Sequence, residues 1–322
     1  MEHPIGSAPR SPAATRVILN PAARHGSGRR IRPLIERELE RHAIAFDIHE
    51  TEGPGHAADL ARAAAEEGAL RVIAAGGDGT AHEVANGLLA VSGRPPAFGL
   101  IPIGTGNDFV KMVPGSGTLP DALATLVSGS EVPVDVGVAR WDGGVEYFLN
   151  AMGTGIDVEV VRQMRRSRWL PGAAIYVSAL LRALVRYRPL PLRIGMDGEV
   201  FEQRIMNLAI CNGPSIGGSF RICPEARFDD GLLDMCVIAA MPMHRNLRLV
   251  RRVIAGTHAG QRGVSMLKGR HFDLALTGRG PLHFQLDGEL REAPGGSVDV
   301  EVAARRLHVI CRIDDRTARR VS

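Results

Sequence analysis

The first third of the chain alternates between short apolar runs and amphipathic segments with helical spacing. Short runs predict strands at Thr15–Leu19, Phe46–Glu50, Val72–Ala75 and Ala97–Ile101, and the apolar run Val72–Ala75 predicts a buried one. The segments between them repeat apolar residues every three or four positions and predict helices over about 29–41, over 56–67 and after residue 79. Strands that alternate with helices are typical of a doubly wound, mostly parallel α/β sheet, and we predict this domain over residues 15–132.

From about Pro133 onward, short alternating segments separated by glycine turns replace the helical pattern. This pattern predicts a larger antiparallel β domain over residues 133–303. Two helical stretches interrupt it, at 157–187 and 243–256, and the second is arginine-rich and amphipathic. Residues 1–14 lack the apolar core of a signal peptide, so we expect a disordered tail.

A glycine-rich turn joins the third predicted strand to its helix and contains Gly76, Gly77, Asp78, Gly79 and Thr80. Such a turn points several backbone N–H groups at one spot, where the helix dipole also favours an anion, so the site suits a phosphate. Asp78 would repel a phosphate unless a cation lay between them, which predicts a metal ion nearby. The structural alternative is an ordinary strand-to-helix turn.

Three other strand ends carry small or polar residues. Asn20 follows the first strand, Thr51 the second, and Gly104–Asp108 the fourth. The carboxyl ends of parallel strands meet at one edge of a sheet, where ligands bind in α/β folds. Four such loops therefore predict one binding crevice and are hard to explain by turn chemistry alone.

The composition limits the kinds of molecule that the protein could bind. The chain of 322 residues has a net charge of +4, which is compatible with an anionic substrate, a nucleotide or an anionic membrane surface. The sequence has no zinc-finger or RNA-binding signature, so we expect no nucleic acid. The most apolar helical run, 176–185, contains Arg182 and is too short to cross a bilayer. The four cysteines form no CxxC pair, and buried free thiols in a reducing compartment are expected.

Two acidic turns and one basic segment occur in the second part of the chain. Gln285–Glu289 places Asp287 and Glu289 around a glycine, where one carboxylate could take a proton from a hydroxyl; the alternative is a solvated hairpin turn. Ala226–Asp234 could hold a hard cation or be a simple acidic turn. The basic segment 162–170 could dock on an anionic bilayer or be a solvated helix end. His82 is interpreted as a polar helix residue rather than a ligand.

Six motifs occur in one order along the chain: NPAARHGSG, GGDGTAHEVANGL, PIGTGNDF, GPSIGGSF, PEARFDDGLLD and QLDGE. As a set they resemble the bacterial diacylglycerol kinase family of soluble lipid kinases, which also includes sphingosine and ceramide kinases of animals. The resemblance covers residues 15–313 approximately. GGDGT alone also occurs in NAD kinases and is similar in phosphofructokinases, whereas NPxxxxGxG together with GTGNDF points to lipid kinases.

The resemblance implies a fold and a set of site residues. The α/β nucleotide-binding domain would be completed by about residues 304–318, and the larger domain would be a β-sandwich, with the crevice between them. ATP would be held by Asn20, Pro21, Ala22, Ala23, Arg24, Thr51, Gly76, Gly77, Asp78, Gly79, Thr80, Glu83, Thr105 and Asn107. Asp287 would be the general base toward the lipid hydroxyl, with Glu289 beside it.

The same resemblance implies two magnesium sites. Asp78, Asp108 and Asp135 would belong to the acidic network around the catalytic Mg²⁺. A separate structural Mg²⁺ would be held by Asp230 and by backbone carbonyls of Arg227 and Leu232.

The predicted function is an ATP- and Mg²⁺-dependent lipid kinase, with diacylglycerol as the first substrate to test and phosphatidic acid as the product. We expect a cytoplasmic protein that meets its lipid at the inner membrane face without a transmembrane segment, and a homodimer is left open. Two alternatives remain: an NAD kinase-like enzyme and a non-catalytic regulator that binds nucleotide or lipid.

Overall fold

Four parallel strands form the centre of the first half of the molecule: β1 (Thr15–Leu19), β2 (Phe46–Glu50), β3 (Arg71–Gly76) and β4 (Ala97–Pro102). They lie side by side in the order β2, β1, β3, β4. The computed structural model describes residues 14–104, 106–166, 173–217 and 220–312. Of the predicted N-terminal tail, only Ala14 is within the described residues.

Four helices pack on the two faces of this sheet: α1 (Ala23–Arg41), α2 (His56–Glu66), α3 (Asp78–Leu89) and α4 (Leu119–Ser128). Helices α1 and α4 cover one apolar cluster, and α2 and α3 cover another on the opposite face. A single turn of 3-10 helix, Val110–Met112, precedes α4. Strands β3 and β4 are covered on both faces, which explains why their sequences are almost continuous hydrophobic runs, whereas the edge strand β2 is only half-buried.

Helix α1 begins earlier than the sequence predicts. The predicted start at about residue 29 is wrong, because residues 25–28 already belong to the helix. The helix lies so close to the preceding strand end that a Cβ on Gly28 would overlap the carbonyl oxygen of Asn20. The glycine therefore serves a close backbone approach, rather than a mobile loop.

The second half is built mainly from antiparallel strands: β5 (Ser130–Trp141), β6 (Gly144–Phe148), β7 (Ala151–Gly155), β8 (Leu190–Met196), β9 (Glu199–Cys211), β10 (Leu233–Ala239), β11 (Val264–Gly269), β12 (His271–Leu276), β13 (Leu282–Leu286), β14 (Glu289–Ala293) and β15 (Ser297–Cys311). Its helices are α5 (Ile156–Arg166), α6 (Ala173–Arg186) and α7 (Met243–Ala255). One core lies inside the curled sheet, and a second lies between the sheet and these three helices. The predicted fold class, an α/β domain followed by a larger antiparallel β domain, is confirmed.

Strand β15 joins the two halves. Its first part pairs with β12 and β5, and its last part runs parallel to β4, where Val309 lies opposite Phe98. The fifteen strands that the structure describes consequently form one continuous sheet. The last part of β15 therefore lies in the sheet of the first half, and the domain boundaries that the resemblance implied stay a prediction.

Candidate active site

The glycine-rich turn lies where the sequence analysis expects it, between the end of β3 and the start of α3. A Cβ on Gly76 would overlap the side chain of Thr80, and one on Gly77 would come within 3.3 Å of the Cα of Gly104. Gly77 takes the N-cap position of α3 and has no capping side chain, so the first N–H groups of the helix face the crevice. The turn thus has the geometry of an anion site.

Polar residues from the first strand end lie beside this turn. The side-chain amide of Asn20 donates to Thr80 Oγ1 at 3.2 Å, while its own Oδ1 accepts from the N–H of Ala22 at 3.0 Å. Pro21, Ala22, Ala23 and Arg24 lead directly from Asn20 into the first turn of α1. These predicted nucleotide contacts are therefore grouped at the same edge of the sheet.

Thr51 and Glu83 lie at the neighbouring edge. The N–H of Thr51 donates to the carbonyl of Leu19 at 2.9 Å, which fixes Thr51 at the end of β2. Both carboxylate oxygens of Glu83 accept backbone N–H groups at the start of α2, from Gly55 at 2.9 Å and from Ala57 at 3.2 Å. Glu83 thus caps α2, and its predicted nucleotide contact stays a prediction. Thr105 lies outside the described residues.

The loop after β4 faces the glycine turn with a carboxylate and an amide. Asp78 Oδ1 accepts from the N–H of Asp108 at 2.6 Å, and a Cβ on Gly106 would come within 2.6 Å of Asp78 Oδ2. Burial, reinforced by the nearby carboxylates of Asp108 and Asp287, raises the pKa of the Asp78 carboxyl to about 6. A cation beside Asp78 would reduce the repulsion among the carboxylates of Asp78, Asp108 and Asp287.

The donor set in this loop fits a hard cation. The Asn107 side chain donates to the carbonyl of Gly104 at 3.1 Å, but its Oδ1 atom is buried and has no hydrogen-bond partner within the part of the chain that the structure describes. An unpaired buried amide oxygen, on the loop whose Asp108 N–H bonds to Asp78, is the kind of ligand that Mg²⁺ takes. Residues from two of the predicted loops therefore supply oxygen donors at one place.

Asp287 comes to this crevice from the second domain, on the turn between β13 and β14. Its carboxylate accepts four hydrogen bonds: Oδ1 from the N–H groups of Asn150 and Ala151, and Oδ2 from the N–H of Leu149 and from His82. Their distances are 2.7–3.0 Å. These bonds use the four lone-pair positions of a carboxylate. The side chain is therefore held firmly in one orientation.

The other residues of the QLDGE turn are also held in place, by hydrogen bonds of a buried side chain. Gln285 is buried, and its Oε1 accepts from the N–H of Gly288 at 2.6 Å. Its amide donates to Asp157 Oδ2 at 2.9 Å. Glu289 lies on the other side of the turn, with Oε1 3.6 Å from the position that a Cβ on Gly79 would take. The turn brings both predicted carboxylates to the N-terminus of α3.

His82 is the site residue that the sequence analysis missed. It is buried, with Nδ1 2.9 Å from Asp287 Oδ2 and Nε2 2.6 Å from Glu146 Oε1. Both ring nitrogens face carboxylate acceptors, so both carry a proton and the ring is an imidazolium. Burial opposes this charge, but the bonds to Asp287 and Glu146 outweigh it and raise the pKa of His82 to about 9.

Glu146 completes this buried chain of charges. Arg291 donates to both of its carboxylate oxygens, at 2.6 Å each. Burial alone would raise the pKa of the Glu146 carboxyl, yet His82 and Arg291 hold it below its ordinary value. The only local sign of His82's role was its place four residues after Asp78, which puts both on one side of α3.

Asp135 and Asp230 form a separate acidic group. Asp135 is fully buried, and its carboxylate accepts from the N–H groups of Gly231 at 2.7 Å and Arg305 at 2.8 Å. Burial raises the pKa of Asp135, and the nearby carboxylates include Asp230. The structure therefore places Asp135 beside the predicted structural metal loop, whereas its membership of the catalytic metal network stays a prediction.

The loop around Asp230 already holds a cation of its own. Lys268 Nζ lies 3.0 Å from Asp230 Oδ2 and 3.2 Å from Asp234 Oδ2, while Asp230 Oδ1 accepts from the N–H of Leu232 at 3.2 Å. An ammonium group thus neutralises the carboxylate that was predicted to hold a structural Mg²⁺ with the carbonyls of Arg227 and Leu232. The structural Mg²⁺ at this position stays a prediction.

An apolar cavity lies next to the QLDGE turn, between α5, α6, α7 and the sheet. It contains about 560 Å³ of empty space, part of it open to solvent. Ile156, Val160, Leu184, Phe220 and Val253 are among the residues that line it, and Asp157 is one of its polar residues. Because Asp157 bonds to Gln285, the cavity wall is connected to the turn that carries Asp287.

Two family models match the chain and together cover most of it. The model described as a diacylglycerol kinase catalytic domain matches residues 14–139. The model described as a YegS C-terminal NAD kinase beta sandwich-like domain matches residues 150–311. The crevice lies between elements of these two regions.

Individual relatives agree with the family models. A diacylglycerol kinase of Bacillus subtilis is 27% identical over 299 residues, which cover 92% of this chain and 95% of that protein. A diacylglycerol kinase of Mycobacterium tuberculosis is 33% identical over 260 residues, covering 79% and 82%. The crystal structure of a diacylglycerol kinase from Bacillus anthracis has the same fold, with a TM-score of 0.71 at 22% identity over 92% of this chain and 96% of that one.

Proposed function

Because this chain belongs to the diacylglycerol kinase and YegS family of lipid kinases, we propose that it transfers the γ-phosphoryl group of ATP to the free hydroxyl of a diacylglycerol, giving phosphatidic acid. The sequence-based family assignment is confirmed, and membership of a kinase family implies ATP as the co-substrate. The observation that carries the proposal is the meeting of the glycine turn of one domain with the Asp287 turn of the other.

The glycine turn supports the nucleotide side of the reaction. The phosphates of ATP would lie against the uncapped N–H groups of α3, within reach of Asn20 and Gly77. Phosphoryl transfer requires little covalent chemistry from a protein, and depends mainly on positioning and on charge neutralisation. The rigid contacts among the loops at residues 20, 76–80 and 104–108 supply that positioning.

Asp78, Asp108 and the Asn107 amide oxygen would hold the catalytic Mg²⁺ in this proposal. Their oxygen atoms fit the preference of this ion, and Asn107 Oδ1 has no other partner within the described residues. When bound, the ion supplies positive charge against the transferring phosphoryl group. The protein residues orient the phosphates and keep the carboxylates together.

The proton of the lipid hydroxyl needs an acceptor. The sequence-based prediction gives this role to Asp287, and that assignment is untested. The four hydrogen bonds to its carboxylate hold Asp287 in one orientation and also fix the 149–151 backbone and the position of His82. We infer that Asp287 accepts the proton, because its turn reaches the N-terminus of α3 and its carboxylate is not one of the proposed metal ligands, whereas Asp78 would hold the Mg²⁺.

The cavity under α5, α6 and α7 is the proposed site for an acyl chain. Its apolar lining suits hydrocarbon, and the hydrogen bonds from Asp157 to Gln285 and from Gln285 to Gly288 lead from its wall to the catalytic turn. A diacylglycerol with one chain in this cavity would present its hydroxyl toward the crevice. No helix in the described part of the chain is long and apolar enough to cross a bilayer, so we propose that the protein reaches this lipid from the membrane surface.

The test is a phosphoryl-transfer assay with γ-labelled ATP and Mg²⁺ against diacylglycerol, sphingosine and NAD. We expect label in phosphatidic acid, and a loss of roughly 10²–10⁴-fold in kcat for Asp287→Asn, because the proton acceptor is removed. Asp78→Asn should lose activity as well, because a ligand of the proposed Mg²⁺ is removed. Asp273→Asn changes an exposed carboxylate outside the crevice and serves as the matched control.

Three outcomes would contradict parts of the proposal. Faster transfer to NAD would make the protein an NAD kinase-like enzyme. Binding of ATP without transfer to any acceptor would make it a non-catalytic regulator. Wild-type kcat for Asp287→Asn, with a large loss for Asp78→Asn alone, would exclude Asp287 as the proton acceptor.

A further inference from the structure

Helix α7 exposes a stripe of apolar side chains to solvent. Met243, Leu247 and Ile254 are 41%, 44% and 39% exposed, and their spacing places them on one side of the helix. Exposed apolar residues of this size are common singly, but a row of three on one helix indicates a surface that meets something apolar.

The stripe is continuous with the lining of the apolar cavity. Val250 follows Leu247 on the same side of α7 and lines the cavity, and Leu249 and Val253 line it from the buried side of the helix. Helix α7 is thus both a wall of the cavity and a partly apolar outer surface. On the other wall, α6 exposes Leu181, while its Leu180 and Leu184 face the cavity.

Positive charge flanks the stripe. Arg245, Arg248, Arg251 and Arg252 are exposed on α7, and within the described residues none of them forms an ion pair with a carboxylate. The chain has no Asp or Glu between Asp234 and Asp273, so neutralising charges are absent from the whole segment around the helix. Arg221 packs against Gly256 at the C-terminal end of α7 and adds a further cation.

We propose that α7 docks the protein on an anionic lipid bilayer, with Met243, Leu247 and Ile254 at the boundary of the acyl chains and the arginines on the lipid phosphates. An apolar stripe beside a cationic face is the pattern of helices that lie in the membrane interface. A protein partner would not explain why the apolar stripe on α7 continues into the apolar lining of the cavity. The delivery of a lipid into that cavity rests on the proposed function, whereas docking itself does not.

Flotation with vesicles tests docking without any catalysis. The wild-type protein should bind vesicles of phosphatidylcholine mixed with phosphatidylglycerol and should bind pure phosphatidylcholine at least about tenfold more weakly. The double variants Leu247→Ser with Ile254→Ser, and Arg248→Glu with Arg251→Glu, should each lower binding to the mixed vesicles about tenfold or more. Added salt should weaken binding of the wild type, because it screens the arginines.

Matched controls change equivalent residues elsewhere. Leu70→Ser with Val200→Ser removes side chains that are 68% and 52% exposed, and Arg41→Glu with Arg62→Glu reverses two exposed arginines on α1 and α2. Both controls should bind like the wild type. Circular dichroism verifies that all variants are folded, since the changes are on the surface.

A second measurement separates docking from the kinase proposal. With a short-chain diacylglycerol dissolved as monomers, the α7 variants should have wild-type kcat, and with diacylglycerol in mixed vesicles their KM should rise about tenfold. Equal binding of the wild type to neutral and anionic vesicles, or wild-type binding by both α7 variants, would overturn the docking proposal. Loss of lipid phosphorylation with docking intact would instead count against the proposed function.

Discussion

His82 stands between two carboxylates that come from distant parts of the chain. It forms hydrogen bonds to Asp287, 205 residues away, and to Glu146, 64 residues away. A buried cation that bridges two carboxylates is stable only while all three partners are present, because each would otherwise be an unpaired buried charge. The ring therefore fixes the Asp287 turn against α3, where the reacting groups meet.

We predict that His82→Gln lowers kcat by roughly 10- to 100-fold, because the Asp287 turn loses its fixed distance from α3, while the KM for ATP changes little. The free energy of unfolding should also respond to pH. Since the pKa of His82 is raised from 6.5 to about 9 in the folded protein, its stabilising effect is complete below pH 6.5 and is lost as the pH rises through about 9.

Denaturant unfolding of the wild type and the variant, at several values between about pH 6 and about pH 10, measures this difference. The difference should shrink toward the alkaline end. His42→Gln, at the exposed end of α1, is the control and should give a difference that is small throughout. A constant difference for His82→Gln would show that the ring acts by packing rather than by charge.

At the scale of elements, the strands of the first domain could be predicted within about one residue at each end. For β3 and β4 the reason is that apolar runs bounded by glycine or proline form few other structures. The start of α1 could not be predicted from the local pattern, because it depends on the contact of Gly28 with Asn20. The partners of His82 and the approach of Lys268 to Asp230 depend on long-range folding, which no local pattern encodes. The loops at the crevice were predictable because all of them follow strand ends.

The packing of α2 on α3 depends on one glycine. A Cβ on Gly87 would overlap the carbonyl oxygen of Ala58 and come within 2.8 Å of the Cβ of Ala61. The alanines of α2 that face it, Ala57, Ala61 and Ala64, are buried. Two helices of small residues therefore approach each other closely, and this contact sets the position of α3 and its phosphate-facing N-terminus.

We predict that Gly87→Ala destabilises the protein by up to about 2 kcal/mol. Alanine gains about 1 kcal/mol of helix propensity over glycine, but overpacking against a backbone carbonyl costs about 1–3 kcal/mol and also displaces α3. Thermal and denaturant unfolding measure the change. Gly117→Ala, where a Cβ would meet nothing within 4 Å, is the control and should be close to neutral. Increased stability of Gly87→Ala would contradict the close approach of α2 and α3.

On the scale of the whole molecule, β15 makes the two halves interdependent. Its last residues, Leu307, Val309, Ile310 and Cys311, are buried, and three of them pack in the same apolar cluster as Phe98 of the first domain. Its earlier residues Val298 and Val300 belong to the core of the second domain. One strand therefore contributes to a core on each side of the crevice.

We predict that a chain ending at residue 303 fails to bind ATP and unfolds without a cooperative transition, because the first domain loses a core strand. A chain ending at residue 312 retains this strand and should behave like the full-length protein. Circular dichroism against temperature and nucleotide binding distinguish the two. Cooperative unfolding of the shorter chain at the midpoint of the full-length protein would show that β15 is dispensable for the first domain.

The shared strand also has a consequence during synthesis on the ribosome. Strand β4 is made roughly 200 residues before the end of β15, a delay on the order of 10 to 40 s at ordinary elongation rates. Throughout that interval the nascent nucleotide half has an open sheet edge beside β4, which exposes it to mispairing with other chains. Newly made protein would accordingly depend on chaperones until translation ends, and a nonsense codon anywhere upstream would leave an aggregation-prone fragment rather than a working half.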